Sequence, residues 1–314
     1  MNANEELADK AVGHAVDMAA YSNEVVRRMI ALLNRSDARL FAELTQALER
    51  MTPATFSVQR LEDLLISVRQ LNAQAYAQIG EEMSSEVRRL VEYEAGYQLA
   101  LFNAAIPPQV IASVGVAEVN VAQVYAAALS RPFQGRLLRE WAGSVEAGRM
   151  TRIRDTVRQG FIEQMTTDQI VRKIRGTKAK GYSDGIIEID RRQAEAVVRT
   201  AISHTAGFTR DRFYDANTDL IKAVQWVSTL DTRTSEPCRI RDNLRYQPVD
   251  HRPIGHAVPW LGGPGRLHWN CRSSSVPITK SWRELGLNID DFSPTTRASM
   301  DGQVAADMSY GDWV

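Results

Sequence analysis

Cysteine is nearly missing from this chain. Two in 314 residues are too few for a disulfide-stapled framework or for the paired Cys-x-x-Cys half-sites of a zinc ribbon. Net charge is missing as well: 38 Lys and Arg balance 38 Asp and Glu, which excludes a global polycation that coats nucleic acid and leaves only a local basic face open. No apolar run approaches the roughly 18 residues that a membrane span needs. The opening Met1-Asn2-Ala3-Asn4-Glu5-Glu6 has neither the basic nor the apolar region of a signal peptide, so synthesis in the cytoplasm without membrane insertion is expected. No His-Glu-x-x-His or paired-carboxylate motif occurs. Gly176, Gly181 and Gly185 lack both the preceding strand and the following Lys-Ser/Thr of a phosphate-binding loop. What remains is ordinary soluble-protein composition, 44% hydrophobic and 24% charged, in a chain long enough for a sizeable core and two domains.

The first half reads as helix. Val12, Val16, Ala19, Val26, Ile30 and Leu33 fall on one stripe. Asn34-Arg35-Ser36 interrupts it, with Ser36 placed to cap a second helix carrying Leu40, Phe41, Leu44 and Leu48. Thr52-Pro53 reads as a cap followed by a first helical residue. The longest periodic segment follows: Leu61, Leu64, Val68, Leu71, Ala75, Ile79, Met83, Val87, Leu90, Glu94, Tyr97 and Leu101 step by three and four, with consecutive fours that would locally unwind a heptad supercoil. Unbroken from Pro53 to Asn103, this helix would be on the order of 75 Å long. It would have to pack as a hairpin within a bundle or lie against another chain, and Pro107-Pro108 ends it.

Beyond the prolines, Arg131-Pro132 and Gly135 set a turn that feeds an amphipathic helix with Leu137, Leu138 and Trp141. Arg149, Arg152, Arg154 and Arg158 spread around that helix, which suits a solvated face with some partner contact better than a phosphate groove. Thr166 to Gln169 caps a short helix that Gly176 stops, and the polar loop Lys178 to Gly185 could touch DNA or be mobile. Asp190 is placed to cap a helix whose buried stripe is Ala194, Val197, Ala201, Thr205 and Phe208. Arg199 beside that stripe is expected to anchor a buried acid such as Asp231. Ala223 to Val227 is the clearest strand, and Ser274 to Ile278 is a candidate return strand.

The stretch from Trp226 to Ser273 holds both cysteines, Cys238 and Cys271, and three of the five histidines, His251, His256 and His268. His268-x-x-Cys271 suits two ligands on one tight turn, and Cys238 reaches the same point if the proline-rich loop folds back. His251 or His256 is then available as the fourth ligand of a structural zinc, with no other cofactor indicated. Two other readings stay open: buried thiols and satisfied histidines that merely pack an irregular loop, and a Cys238–Cys271 disulfide.

The order Trp226, Asp231-x-Arg233-Thr234, Cys238, His268-x-x-Cys271-Arg272 resembles the end of the phage Mu F-like head-morphogenesis family, minor head proteins of tailed bacteriophages. Members close on His-Pro-Asn-Cys-Arg-Cys; here Trp269 replaces the Pro and Ser273 the last Cys, and Ser235 stands where many members carry a further Cys or His. The segment Leu129 to Trp141 is similar to one from the same kind of protein, and Val198-Arg199-Thr200 opens the better-matched part. The tail from Asp301 resembles the start of an element that usually continues in this family, so either this member is short or the chain is a processed or truncated form. The implied fold is α+β: residues 1–106 a long-helix arm or bundle with coiled-coil-like helices, 107–185 a helical connector, 186–314 a small α+β module with an irregular Cys/His loop. The implied role is a non-enzymatic minor head protein, made in the host cytoplasm and built into the virion in several copies near the portal vertex. Its expected partners are the portal protein, other capsid components and packaged DNA, and it would assist head assembly and DNA retention or delivery. The alternative is a metal-dependent hydrolase or nuclease that uses His251, His256 and His268 with Asp231, Arg233 stabilising charge.

Overall fold

The computed structural model describes residues 3–51, 55–287, 296–300, 302–305 and 308–313; the expected Thr52-Pro53 cap lies outside them. The chain is α+β. Its helices are α1 (Ala3–Glu49), α2 (Val58–Leu64), α3 (Ile66–Ala105), α4 (Pro108–Val114), α5 (Val121–Ser130), α6 (Leu138–Ile162), α7 (Thr167–Arg175) and α8 (Ile187–Ala216). The strand β1 (Ile221–Val227) follows, then the short α9 (Glu236–Arg239), β2 (Arg245–Tyr246), β3 (Pro253–Ile254) and β4 (Ser274–Thr279). The chain closes with β5 (Thr296–Ser299), β6 (Gly302–Ala305) and α10 (Tyr310–Trp313). β3, β2, β1 and β4 form one antiparallel sheet in that order, and β5 pairs with β6.

Two compact units divide the chain: residues 1–22, 86–135 and 199–314 make one, and 23–85 with 136–198 the other. Neither is continuous in sequence, because α1, α3 and α8 each contribute residues to both.

In the second unit, Leu40, Leu44 and Leu48 of α1 share a core with Leu61, Leu65 and Val68, with Met150, Ile153 and Val157 of α6, and with Ile170 and Ile174 of α7. The break expected at Asn34-Arg35-Ser36 does not occur, and α1 runs straight through it. The buried positions Leu33, Asp37, Leu40 and Leu44 keep helical spacing, so Asp37 fills a core-facing place that hydrophobicity alone reads as a gap. Arg149 grips its carboxylate and Arg191 adds a second bond at 3.0 Å. Arg152 likewise pairs with Asp190. Two of the four arginines expected on a solvated face are therefore internal struts, and Asp190 sits inside the first turns of α8 instead of capping it. The long rod is in two pieces, with Ser57 capping α2 by accepting the Arg60 N–H at 3.1 Å. The loop after α7 is closed: the Thr177 N–H and hydroxyl donate to Asp184 at 2.7 and 2.9 Å.

The first unit repeats the pattern of an acid within an apolar stripe. Glu94 is fully buried on α3, 2.6 Å from His14 Nε2, 3.0 Å from Gln98 Nε2 and 3.2 Å from Arg210 Nε. Burial pushes this carboxyl up, but Arg210 and His14 outweigh it and hold the group below its ordinary range. The expected stripe at the start of α1 was misphased for the same reason. His14 and Ser22 take core-facing places, while Val16 is 65% exposed. Around this network, Phe102 of α3, Ile106 just after it, and Phe213 and Tyr214 of α8 join Val224 and Trp226 of β1, Tyr246 of β2, Trp260 and both cysteines in one hydrophobic core.

Candidate metal centre

Val227, the last residue of β1, pairs with Ser274, the first of β4, so the chain leaving one strand starts beside the chain entering the other. Side chains lace these two ends together. The Ser228 N–H donates to Asp242 at 2.7 Å and its hydroxyl to the Cys238 carbonyl at 2.8 Å, while the Thr229 hydroxyl donates to the Arg272 carbonyl at 3.2 Å. Asp231 accepts the Arg233 N–H at 3.0 Å, the Thr234 hydroxyl at 3.1 Å and both arms of the Arg272 guanidinium, one of them at 2.8 Å. This bidentate pairing holds the Asp231 carboxyl down to about 2. The structure thus gives to Arg272 the anchoring role expected of Arg199. In Asp231-x-Arg233-Thr234, the acid and the hydroxyl build the turn while the Arg233 side chain is 83% exposed.

The excursion between the strands folds back onto α8. At Gly265, with φ +75°, an added Cβ would lie 3.0 Å from the Ser203 carbonyl oxygen, so a side chain there would hold the loop off the helix. Trp260 stands edge-on to the fully buried Trp226 at 5.3 Å and to Tyr246 at 4.8 Å. Asn270 adopts φ 55°, a left-handed conformation that Asn tolerates better than most residues. Its N–H donates to Thr200 of α8 at 3.1 Å. That single left-handed residue reverses the chain between His268 and Cys271, whose N–H closes the turn on the His268 carbonyl at 3.2 Å.

The result is a convergence of Cys238, His268 and Cys271, with one ligand atom from each lying within 4.8 Å of the others. The two sulfurs are 3.7 Å apart, and Cys238 Sγ is 3.2 Å from His268 Nε2. Both cysteines are buried and unbridged. Ser235 Oγ approaches His268 Nε2 to 2.7 Å. The S–H shared with Cys271, together with burial, pushes Cys238 up. The same bond and the His268 ring pull Cys271 down, and His268 is raised in turn by its bond to Cys271.

The other two candidate ligands are elsewhere. His256 Nε2 lies 2.9 Å from the Arg245 carbonyl, its Nδ1 accepts the Val258 N–H at 3.2 Å, and its ring packs on Tyr246. His251 stacks on Trp260 at 4.5 Å and faces Asp211 at 3.8 Å. Each is held by its own partners, so neither completes the Cys238, His268 and Cys271 set. The hydrolase constellation of three histidines with Asp231 does not assemble, because Asp231 is committed to Arg272. Sequence reasoning missed Arg272 as the anchor, and it noted Ser235 only as a place where many members carry a further Cys or His, not as a neighbour of the cluster. The signal for both was present, since each stands at a fixed step from a cysteine.

Residues 151–276 match the model of the family described as Phage Mu protein F like protein. A comparison with curated proteins and one with solved structures gave no match. The matched stretch opens in α6 and ends in β4, so it encloses α7, α8, β1, the Asp231–Arg272 pair and every residue of the Cys/His cluster. Over this stretch, the chain is similar to the Phage Mu protein F like family.

Proposed function

We propose that the chain is a minor head protein of a tailed bacteriophage that acts as a builder and not as an enzyme. It is made in the host cytoplasm and incorporated into the head in several copies near the portal vertex. There it contacts the portal protein and other capsid components and assists head assembly and DNA retention or delivery. The observation that carries this reading is the family match over residues 151–276, which covers the whole Cys/His cluster and the elements that position it. The local chemistry supports it. The Asp231 carboxylate is paired with Arg272, and the group of ligand-type side chains contains no carboxylate. A hydrolytic metal site calls for a general base within reach of a bound water. The absence of any helix long and apolar enough to cross a membrane, among the described residues, is consistent with a place in the head. A phage whose reading frame for this chain is interrupted by a nonsense codon tests the role. Misassembled heads, or heads that fail to keep or deliver DNA, are expected. Normal infectious particles from the interrupted frame would overturn the assignment.

A further inference from the structure

We propose that Cys238, His268 and Cys271 bind one zinc ion, with an oxygen at the fourth position on the Ser235 side, and that this ion staples the β1–β4 excursion. The donor set fits. Zinc takes thiolates at about 2.3 Å and imidazole nitrogen at about 2.0–2.1 Å in a tetrahedron. Those bond lengths place two thiolate sulfurs about 3.8 Å apart and a sulfur about 3.5 Å from the nitrogen. The sulfurs here stand 3.7 Å apart, Cys238 Sγ lies 3.2 Å from His268 Nε2, and all three donors lie within 4.8 Å of one another, so they already gather around one point that a small closing movement turns into a metal site.

Orientation argues the same way. His268 Nδ1 lies 2.9 Å from the Trp269 carbonyl oxygen, which can only accept, so the ring carries its proton on Nδ1 and turns the Nε2 lone pair toward the sulfurs. This is the outer hydrogen bond that fixes a metal-ligating histidine. Two soft thiolates and an imidazole suit zinc better than magnesium, calcium or manganese. The Ser235 hydroxyl, 2.7 Å from Nε2, occupies the remaining side, where it or a water completes the shell. Cys238 belongs to α9 and the other two ligands to the turn before β4, so the ion closes the long excursion that His251, His256 and Trp260 occupy. Loop closure of that kind removes freedom from the unfolded chain.

The test uses the full chain expressed with zinc. Elemental analysis should find about one zinc per chain, and cobalt titrated into metal-free protein should give thiolate charge-transfer absorption. Cys238→Ser and His268→Ala should lose the metal, while His251→Ala and His256→Ala should keep it. Ser235→Cys, which leaves all three ligands in place, should tighten zinc on the order of tenfold or more by exchanging a hydroxyl for a thiolate. Zinc-free wild-type protein that gives no cobalt–thiolate band overturns the proposal, whether its thiols are free or joined in a disulfide. So does a Ser235→Cys variant with unchanged affinity. A metal-free chain found inside heads would sink the zinc site and leave the head role standing.

Discussion

Replacing Asp37 by Leu puts an apolar residue where the α1 stripe calls for one, and by hydrophobicity alone should stabilise the helix. The structure predicts the reverse. Arg149 is 2% exposed and Asp37 lies against it with 6% of its side chain exposed, so the substitution strands a buried guanidinium. Removing one partner of a buried pair costs about 3–5 kcal/mol, whereas exchanging both partners for well-packed apolar groups is near neutral or stabilising. Asp37→Leu should therefore lower the melting temperature by roughly 10 °C. Arg149→Met should cost less, because Arg191 still reaches Asp37 at 3.0 Å. The double variant should recover most of the loss, giving a coupling energy well above the few tenths of a kcal/mol expected of independent sites. Denaturant unfolding of the four proteins followed by circular dichroism measures this. Additive losses, or a stabilised Asp37→Leu protein, would refute the view that this acid marks a buried ionic strut.

Two further outcomes follow from particular contacts. The Asp231 carboxyl is depressed to about 2 in the folded chain, below the roughly 3.9 of an unfolded Asp. Its contribution is therefore fully present above pH about 4 and lost as pH falls toward about 2. Because Arg272 is 34% exposed, that contribution is discounted to roughly 1–2 kcal/mol; acid titration should show Asp231→Asn less stable at neutral pH and lacking this limb, and parallel curves would contradict the pairing. Gly185→Ala places a Cβ 2.4 Å from the Arg175 carbonyl carbon and oxygen, backbone atoms that cannot turn aside. A loss of about 1–3 kcal/mol is expected, and unchanged thermal stability would show that the loop yields freely.

Much of this was legible beforehand because punctuation in the sequence has a fixed physical meaning. Pro107-Pro108 ends α3 and starts α4, with Pro108 at the first helical position, as a residue without an N–H must. Thr166 and Gln169 form the capping box of α7, and Gly176 closes it at φ 89°. β1 and β4 pair where the alternating and apolar runs placed strands. What failed to show was polar residues doing core work. His14, Asp37 and Glu94 sit at buried helical positions whose partners are distant in sequence, and no local pattern pairs Asp37 with Arg149 or Glu94 with Arg210. The two compact units were hidden for a related reason, since long helices carry the chain through both.

The site divided along the same line. His268-x-x-Cys271 was readable as a turn with two donors, and the return of Cys238 to it rests on a spacing rule. The partners of His251 and His256 depend on where a proline-rich loop lands. In that loop, His256 meets the Arg245 carbonyl and His251 the face of Trp260, and neither encounter is written in sequence separation. Asn270 is the clearest lesson. Its left-handed backbone makes the turn that unites the ligands, so its presence between His268 and Cys271 is a conformational requirement and not a chemical one.

The central claim is that this polypeptide is part of the head. Quantitative mass spectrometry of gradient-purified mature particles, compared with the lysate they came from, tests it most directly. The account predicts the chain among the particle proteins at a few copies per portal. A chain abundant in the lysate yet missing from heads and from their assembly intermediates would contradict it.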